Sequence, residues 1–354
     1  MALSGRAVAK GAVALAGVLV SVMLVATVFF NIHLHGGPLL TPRFDFGRFV
    51  KDLPKHLLWL IPFLVLSATV IPLRALQWQY TLQRHVPFRE RYHLVAIGAF
   101  IHNAIPGKFG DLFRAFLMSR TQKVPFVQSF GSVAVCKLLE FAALMLLVAA
   151  SFLGPFAQTM SRFAGGLRAA VVICVVCVTV VVFLAHYAEA IARFLKRRGR
   201  FPKAQAFLLN VSVGLGTARS FQGMAKALLF SVPPVLAPAL AYGIALQGIG
   251  VQAGLFAGAV VLGAIALGQA APGLPAGTGI YFFVTSYVAR NLGASPDDAA
   301  AFAVLTNLGT VLSQVLIGAV SVWVRKLRWG DLKRSTGIAA EAMKHVNDPA
   351  AEPA

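Results

Sequence analysis

Long apolar runs recur along the whole chain, and they constrain its fold more than any other feature of the sequence. A run of about 20 apolar residues is long enough for one helix to cross the hydrocarbon core of a bilayer. The composition agrees, because 58% of the residues are hydrophobic and only 12% are charged. Strands of a membrane barrel would alternate apolar and polar residues over about 10 positions, and no such alternation occurs. We therefore predict an all-α fold, a polytopic membrane helical bundle.

The net charge of +20 comes from 32 Lys and Arg residues against 12 Asp and Glu residues. Such an excess suits nucleic-acid binding, but it is also expected in the cytoplasmic loops of membrane proteins. The basic residues lie in short clusters between the apolar runs, so we predict no nucleic-acid partner. Cys136, Cys174 and Cys177 lie in apolar segments without His or Cys companions at metal-binding spacing, which favours core packing and predicts no metal site.

The apolar runs predict membrane-spanning helices separated by polar connections. The first run is longer than the core of a cleavable signal peptide, so we expect it to stay in the protein. A polar loop precedes the second span. A long basic connection at residues 188–222 is expected to form a cytoplasmic surface helix and a turn. The predicted spans are residues 11–32, 56–80, 128–153, 167–187, 225–249 and 299–324.

A broken segment lies between the second and third predicted spans. Residues 92–105 are mostly apolar but too few to cross a bilayer, and Pro106 and Gly107 should end any helix there. Residues 109–120 read as a second short helix. Irregular backbone is tolerated at membrane depth only where protein or water covers it. The sequence therefore predicts a broken re-entrant hairpin beside a cavity.

A second broken segment, made of a short arm at residues 254–271 and a short helix at residues 280–291, resembles the first. Residues 105–110 align with residues 274–279, and a full span flanks each hairpin on either side. The predicted hairpin breaks are Pro106, Gly107, Pro272, Gly273, Pro275, Gly277 and Gly279. Because three spans separate the hairpins, they should enter from opposite faces, which predicts an inverted repeat.

This organisation gives one integral membrane domain at residues 1–330, with repeats at about residues 56–154 and 225–324, and a disordered cytoplasmic tail at residues 331–354. With both termini inside, about 25 of the 32 Lys and Arg residues fall in the cytoplasmic half. That bias predicts a protein of the bacterial inner (plasma) membrane with both termini cytoplasmic. It also places the first hairpin on the cytoplasmic leaflet.

Charged residues at membrane depth are costly and are functional candidates by default. Basic side chains beside a helix N-terminus would provide the positive, partly dehydrated pocket that an anionic headgroup needs. The candidate residues for binding a lipid headgroup are Asn103, Lys108, Gly110, Asp111, Arg114, Lys137, Glu140 and Arg74.

Each candidate also has a purely structural interpretation. Asp111 and Arg114, like Lys137 and Glu140, are spaced i,i+3 and could form internal ion pairs. Arg74 could extend toward lipid headgroups beside an interfacial tryptophan. Gly110 could serve helix packing instead of headgroup approach.

The run 103–120, the residues 137–140 and the run 274–279 resemble a family of flippase-like membrane domains. This family is named after the transmembrane region of lysylphosphatidylglycerol synthase. The most specific part is the pattern Pro-Gly-basic-x-Gly-acidic-x-x-Arg, which begins at Pro106. The resemblance implies movement of lipids or lipid-linked intermediates between leaflets, with an anionic phospholipid, a polyprenyl-linked sugar or a hopanoid as the partner.

Three differences from the family pattern bear on these expectations. The first motif has Lys108 and Asp111 where the family more often has Arg and Glu, which keeps the charges but shortens their reach. The second motif of the family usually ends with a glutamate, whereas Tyr281, Phe282 and Phe283 occupy that region here. Only about 30 residues follow the last predicted span, so we expect no aminoacyltransferase domain and no lysyl transfer by this chain alone.

Motifs for catalysis are missing from the sequence. It has no P-loop, no Gly-x-Ser-x-Gly elbow and no His-x-x-x-His pair, so we expect neither an enzyme nor a cofactor. The leading hypothesis is a lipid translocase. The alternatives are a membrane-embedded lipid-modifying enzyme, an accessory subunit that presents lipid to a glycosyltransferase, and a plain scaffold. A second copy of the chain or a lipid-synthesis enzyme is the candidate protein partner.

Overall fold

The computed structural model describes residues 19–32, 40–104, 109–151, 164–197, 208–209, 212–213, 215–252, 254–270 and 278–327. Several predictions fall outside these residues. They concern Lys108, the hairpin breaks Pro106, Gly107, Pro272, Gly273, Pro275 and Gly277, and the tail at residues 331–354.

The described chain is almost entirely helical, as the sequence predicts. A small antiparallel pair of strands, β1 (Phe30–Ile32) and β2 (Leu40–Pro42), is the departure from an all-α fold within these residues. The helices are α1 (Leu19–Phe29), α2 (Phe46–Gln79), α3 (Phe88–Ala104), α4 (Gly110–Gln122), α5 (Phe126–Ser151), α6 (Ala164–Arg197), α7 (Phe221–Ser231), α8 (Pro233–Gly248), α9 (Leu255–Ala270), α10 (Thr278–Asn291) and α11 (Pro296–Val324).

Four helical segments among the described residues are long and apolar enough to cross a membrane. They are α2, α5, α11 and the continuous stretch Phe221–Gly248, which contains α7 and α8. A fifth is reached if the two arms of α6, bent by 49°, form one span. The prediction of a polytopic helical membrane protein is therefore confirmed, whereas six crossings stay a prediction.

Helix α2 begins ten residues earlier than the sequence predicted, at Phe46 instead of His56. The residues assigned to a polar loop are helical because they satisfy one another locally. The Asp45 carboxylate caps the helix by accepting a hydrogen bond of 3.0 Å from the Arg48 amide. Asp52 then pairs with Arg48 at i,i+4 and with Lys55 at i,i+3.

Two other predicted connections are also partly helical. Helix α6 continues to Arg197, through the first part of the connection predicted at residues 188–222. Helix α3 begins at Phe88, four residues before the predicted short arm at residues 92–105. The buried guanidinium of Arg91, a residue of this helix, donates to the carbonyls of Ala75 and Leu76 near the end of α2 and to that of Val86 in the connection. It therefore satisfies two acceptors at the C-terminal end of α2.

The chain divides into two compact units. Unit 1 contains residues Met1–Ala68, Leu144–Arg168 and Leu236–Ser313, and unit 2 contains Thr69–Ala143, Ala169–Val235 and Gln314–Ala354. Both units are assembled from separate stretches of the chain.

Each unit has its own apolar core and its own pair of short helices. In unit 1, α9 packs on α10, and the core contains Trp59, Phe63 and Phe302. In unit 2, α3 packs on α4, and the core contains Trp78 and Met118. All four helices are shorter than the about 20 residues that span a bilayer. The re-entrant placement of the two pairs and the inverted repeat stay predictions.

Candidate functional site

Five charged side chains from three helices of unit 2 form one continuous chain of ion pairs. Helix α2 contributes Arg74, α4 contributes Asp111 and Arg114, and α5 contributes Lys137 and Glu140. All five are residues that the sequence singled out. The successive N–O distances are 3.0 Å for Arg74–Glu140, 3.4 Å for Glu140–Lys137, 3.6 Å for Lys137–Asp111 and 3.2 Å for Asp111–Arg114.

The two predicted i,i+3 pairs are confirmed, and they form for local reasons. Residues three apart lie on the same face of a helix, so Asp111 meets Arg114 within α4 and Lys137 meets Glu140 within α5. The links between helices are additional. The Glu140 carboxylate also receives Arg74, and the Lys137 ammonium also reaches Asp111. The pairs Asp111–Arg114 and Lys137–Glu140, which the sequence gave as one possible interpretation, are thus parts of a larger network.

Close packing of α3 on α4 holds Asp111 and Arg114 in position. Gly110, the first residue of α4, lies against Gly98 of α3, and a Cβ added to Gly110 would overlap the Gly98 carbonyl oxygen. The absence of a side chain lets the two backbones approach. The sequence offered two roles for Gly110, helix packing and close approach of a headgroup. This contact supports helix packing.

Arg114 is the most deeply buried member of the chain, with 3% of its side chain exposed. Its guanidinium lies over the Trp78 ring at 5.0 Å from the ring centroid, a cation–π contact. The Nε atom is near Asp111, but neither Nε nor Nη2 makes a hydrogen bond with any described residue. Buried guanidinium donors are normally hydrogen-bonded, so the N–H groups of Arg114 at Nε and Nη2 remain able to bind a ligand.

The members of the ion-pair chain differ in their exposure. Glu140 and Arg114 are buried, whereas the side chains of Asp111 and Lys137 are 41% and 35% exposed. The cluster contains three cations and two carboxylates, so its formal charge is +1. The exposed charged side chains and the buried arginine with unbonded N–H groups suit this site to a small anionic group.

The interpretation of Arg74 as an arginine extending toward headgroups beside an interfacial tryptophan is wrong. Trp78 is fully buried, and its indole N–H donates to the Ser132 hydroxyl at 3.0 Å. Arg74 pairs with Glu140. The interpretation failed because spacing along α2 shows which residues share a face, but not which helix packs on that face.

Asn103 lies outside the ion-pair chain. Its amide donates to the Ala99 carbonyl at 2.9 Å and to the Gln314 side chain at 2.8 Å. These bonds tie the end of α3 to α11. Asn103 therefore has a described structural role at the edge of the hairpin.

Gln77 is a residue of this region that the sequence analysis missed. It is 1% exposed, and its amide nitrogen donates to the Ser231 hydroxyl at 2.8 Å and to the Cys136 carbonyl at 3.2 Å. A glutamine within an apolar helix, three residues after Arg74, was the available signal. It ties α2 to α5 and α7 beside the ion-pair chain.

The second pair of short helices carries a neutral network where the family usually has a glutamate. The hydroxyls of Tyr242 and Tyr281 lie 2.8 Å apart, and Tyr281 also donates to Thr306 at 3.0 Å. The three side chains are buried in unit 1. Gly279, a predicted hairpin break, donates its amide to the Ser21 hydroxyl. The described ion pairs of unit 1 join Arg48, Asp52, Lys55 and Asp297, whose side chains are 28% to 79% exposed, and they do not include this buried network.

Comparison with known families assigns the chain to one of them, and the described residues show no metal site. Across the described residues, no three His, Cys, Asp or Glu side chains converge as a metal site would require. Comparison with curated proteins and with solved structures gave no significant match. A family model described as "Lysylphosphatidylglycerol synthase TM region" matches residues 13–337. Because this match covers most of the sequence, the chain belongs to that family and is an integral membrane protein with a lipid-related function.

Proposed function

We propose that the protein is a lipid translocase of the bacterial inner membrane, which moves an anionic, isoprenoid or lipid-linked headgroup between leaflets. The observation that carries this proposal is the buried guanidinium of Arg114, whose Nη2 lacks an acceptor among the described residues. A buried charged donor without an acceptor is costly. A phosphate of a lipid headgroup would supply the acceptor, and arginine is suited to bind phosphate through two parallel hydrogen bonds.

The carboxylates of the site support transport over permanent binding. Asp111 lies 3.2 Å from Arg114 and 3.6 Å from Lys137, so an arriving phosphate competes with Asp111 for both cations. Asp111 recovers its partners when the headgroup leaves. A translocation site must bind well enough to admit its cargo and weakly enough to release it. The formal charge of +1 meets that requirement better than an unopposed cluster of cations.

A reconstitution assay tests the proposal. The full-length chain is placed in liposomes that contain a fluorescent phosphatidylglycerol, and quenching by dithionite reports how fast the probe changes leaflet. Arg114→Gln and Asp111→Asn should slow this exchange by about tenfold or more, because each removes a charge-assisted interaction. Arg120→Gln is the matched control, since Arg120 is an exposed arginine of the same helix that stacks on Phe116.

The same assay separates the translocase from its alternatives. Mass spectrometry of the recovered lipid should show an unchanged molecule. A chemically modified lipid would indicate a lipid-modifying enzyme and would contradict the proposal. Exchange no faster than in protein-free liposomes would indicate a scaffold or an accessory subunit, and exchange that is equally fast in Arg114→Gln and in the unsubstituted protein would contradict the role of Arg114.

A further inference from the structure

A cavity lies in unit 2, where α2 and α4 end and α5 begins. Its volume is about 270 Å³, slightly below the about 300 Å³ at which sites for drug-sized ligands begin. Of the five members of the ion-pair chain, none lines it. The cavity therefore suits a ligand of headgroup size and is separate from the site described above.

The charged side chains that line this cavity have one sign. Arg84 and Lys123 are both among its lining residues, and the described lining includes no carboxylate. Arg84 is fixed in the wall by a hydrogen bond of 3.1 Å from its Nη1 to the Gln122 carbonyl. The remaining guanidinium donors and the Lys123 ammonium favour an anion.

Lys123 occupies a backbone position that normally selects glycine. It follows α4 with φ of 51° and ψ of 48°, the left-handed conformation, and its amide donates to the Ser119 carbonyl. Glycine adopts this conformation without the steric penalty that other residues incur. A lysine in this conformation costs free energy, and a role of its side chain in binding an anion would offset that cost.

Ser129 provides the observation that points to a ligand. It lines the cavity and is 2% exposed, yet its hydroxyl makes no hydrogen bond with any described residue. Serine hydroxyls in helices usually donate to a carbonyl of the preceding turn, as Ser132 does to Ser129. Ser129 lies at the start of α5, a 26-residue helix whose N-terminal end carries positive potential.

We propose that this cavity binds a phosphate group, with Arg84 and Lys123 as counter-charges and the Ser129 hydroxyl as a hydrogen-bond donor. The phosphate belongs either to the headgroup of a membrane lipid or to a soluble phosphorylated compound. This proposal does not depend on lipid translocation, because none of its residues belongs to the ion-pair chain.

Ligand-dependent thermal unfolding of the purified full-length chain in a non-ionic maltoside detergent tests the proposal. One arm adds inorganic phosphate, and the other adds a short-chain phosphatidylglycerol. All measurements use an Arg114→Gln background, so that binding at the ion-pair chain is suppressed. The rise of the unfolding midpoint with ligand concentration gives an apparent Kd. Stabilisation by phosphate alone identifies a soluble ligand, and stabilisation by the lipid alone identifies a headgroup.

Two substitutions should weaken this binding by about tenfold or more, because each removes one interaction with a charged group. Ser129→Ala removes a hydroxyl that has no described partner, so it should leave the unliganded protein at least as stable. Lys123→Gly removes the charge and suits the left-handed backbone. Neither change is expected to prevent folding.

Matched controls are available within unit 2 and α5. Lys226→Gln removes the same charge from an exposed position on α7, and Ser151→Ala removes a buried hydroxyl of α5 that bonds to the Val148 carbonyl. Both should keep the apparent Kd of the Arg114→Gln parent. The proposal is overturned if neither ligand raises the midpoint, or if Ser129→Ala and Lys123→Gly respond to both ligands as their parent does.

Discussion

Arg114 and Glu140 are the two charges that the ion-pair chain buries most deeply, at 3% and 7% exposure. Removing a charge from water costs several kcal/mol, and a partner must offset that cost. Glu140 has two cationic partners, Arg74 and Lys137, although its Oε1 atom has no described hydrogen bond. Glu140 is therefore the residue on which the charge balance of the site depends most.

We expect Glu140→Gln to lower the free energy of unfolding by about 3 kcal/mol, because it leaves Arg74 and Lys137 without their shared carboxylate. Denaturant unfolding of the detergent-solubilised protein would measure the loss. The double variant Arg74→Met/Glu140→Leu should recover most of it, since an apolar pair can replace a buried ion pair. A fully stable Glu140→Gln protein would show that these ion pairs contribute nothing to stability.

At the scale of helices, close approach at glycine organises both units. Gly110 of α4 meets Gly98 of α3 in unit 2, and a Cβ on Gly258 of α9 would overlap the Ala239 carbonyl oxygen of α8 in unit 1. Small residues at such crossings permit the close backbone contact that helices in membranes need. In unit 2 this contact also positions the first turn of α4, which carries Asp111 and Arg114.

Substitution of Gly110 tests this packing. Gly110→Ala should destabilise the protein by about 1 to 3 kcal/mol, because α3 and α4 must separate to accommodate the methyl group. It should also slow lipid exchange by displacing Arg114. Gly165→Ala on α6 is the control and should be neutral, since the added Cβ would meet nothing within 4 Å. Equal unfolding midpoints for the two variants would contradict the packing role.

The tyrosine pair of unit 1 permits a second test at the helix scale. Tyr281→Phe should lower the free energy of unfolding by about 1 kcal/mol, because it removes the hydroxyl that joins Tyr242 to Thr306. Tyr187→Phe, at a tyrosine that is 54% exposed on α6, should change it much less. Thermal unfolding of both variants in detergent would measure the difference, and a Tyr281→Phe protein as stable as Tyr187→Phe would contradict the network.

At the scale of the whole molecule, the distribution of basic residues predicts the topology. We expect His85 to face the cytoplasm and Arg290 to face the outside, by the bias of Lys and Arg toward cytoplasmic loops. Both positions are exposed in the structure. The accessibility of these two positions from either side of the membrane therefore tests the predicted topology.

Cysteine labelling would measure this topology. In a background with the three native cysteines replaced by alanine, a membrane-impermeant maleimide added to intact spheroplasts should label Arg290→Cys and spare His85→Cys. Both should react after permeabilisation, which controls for buried sites. The reverse pattern would contradict the cytoplasmic placement of the termini, and labelling at both positions before permeabilisation would contradict the predicted crossings.

The features that could be predicted from the sequence are those that depend on residues close together in the chain. Apolar runs of membrane length predicted α5 and α11 to within about three residues, and i,i+3 spacing predicted the pairs Asp111–Arg114 and Lys137–Glu140. The start of α2 was misplaced, because its first charged residues satisfy one another along the helix. Polarity alone did not distinguish such a helix from a loop.

The sequence by itself determined that this protein is a helical membrane protein with charged residues inside its apolar helices, because hydropathy and helical spacing depend only on neighbouring residues. The tertiary structure decided which charges meet. Arg74 and Glu140 are 66 positions apart in sequence, and the burial of Arg114 depends on Trp78 of another helix. Such partners are chosen by the packing of whole helices, which no local pattern specifies.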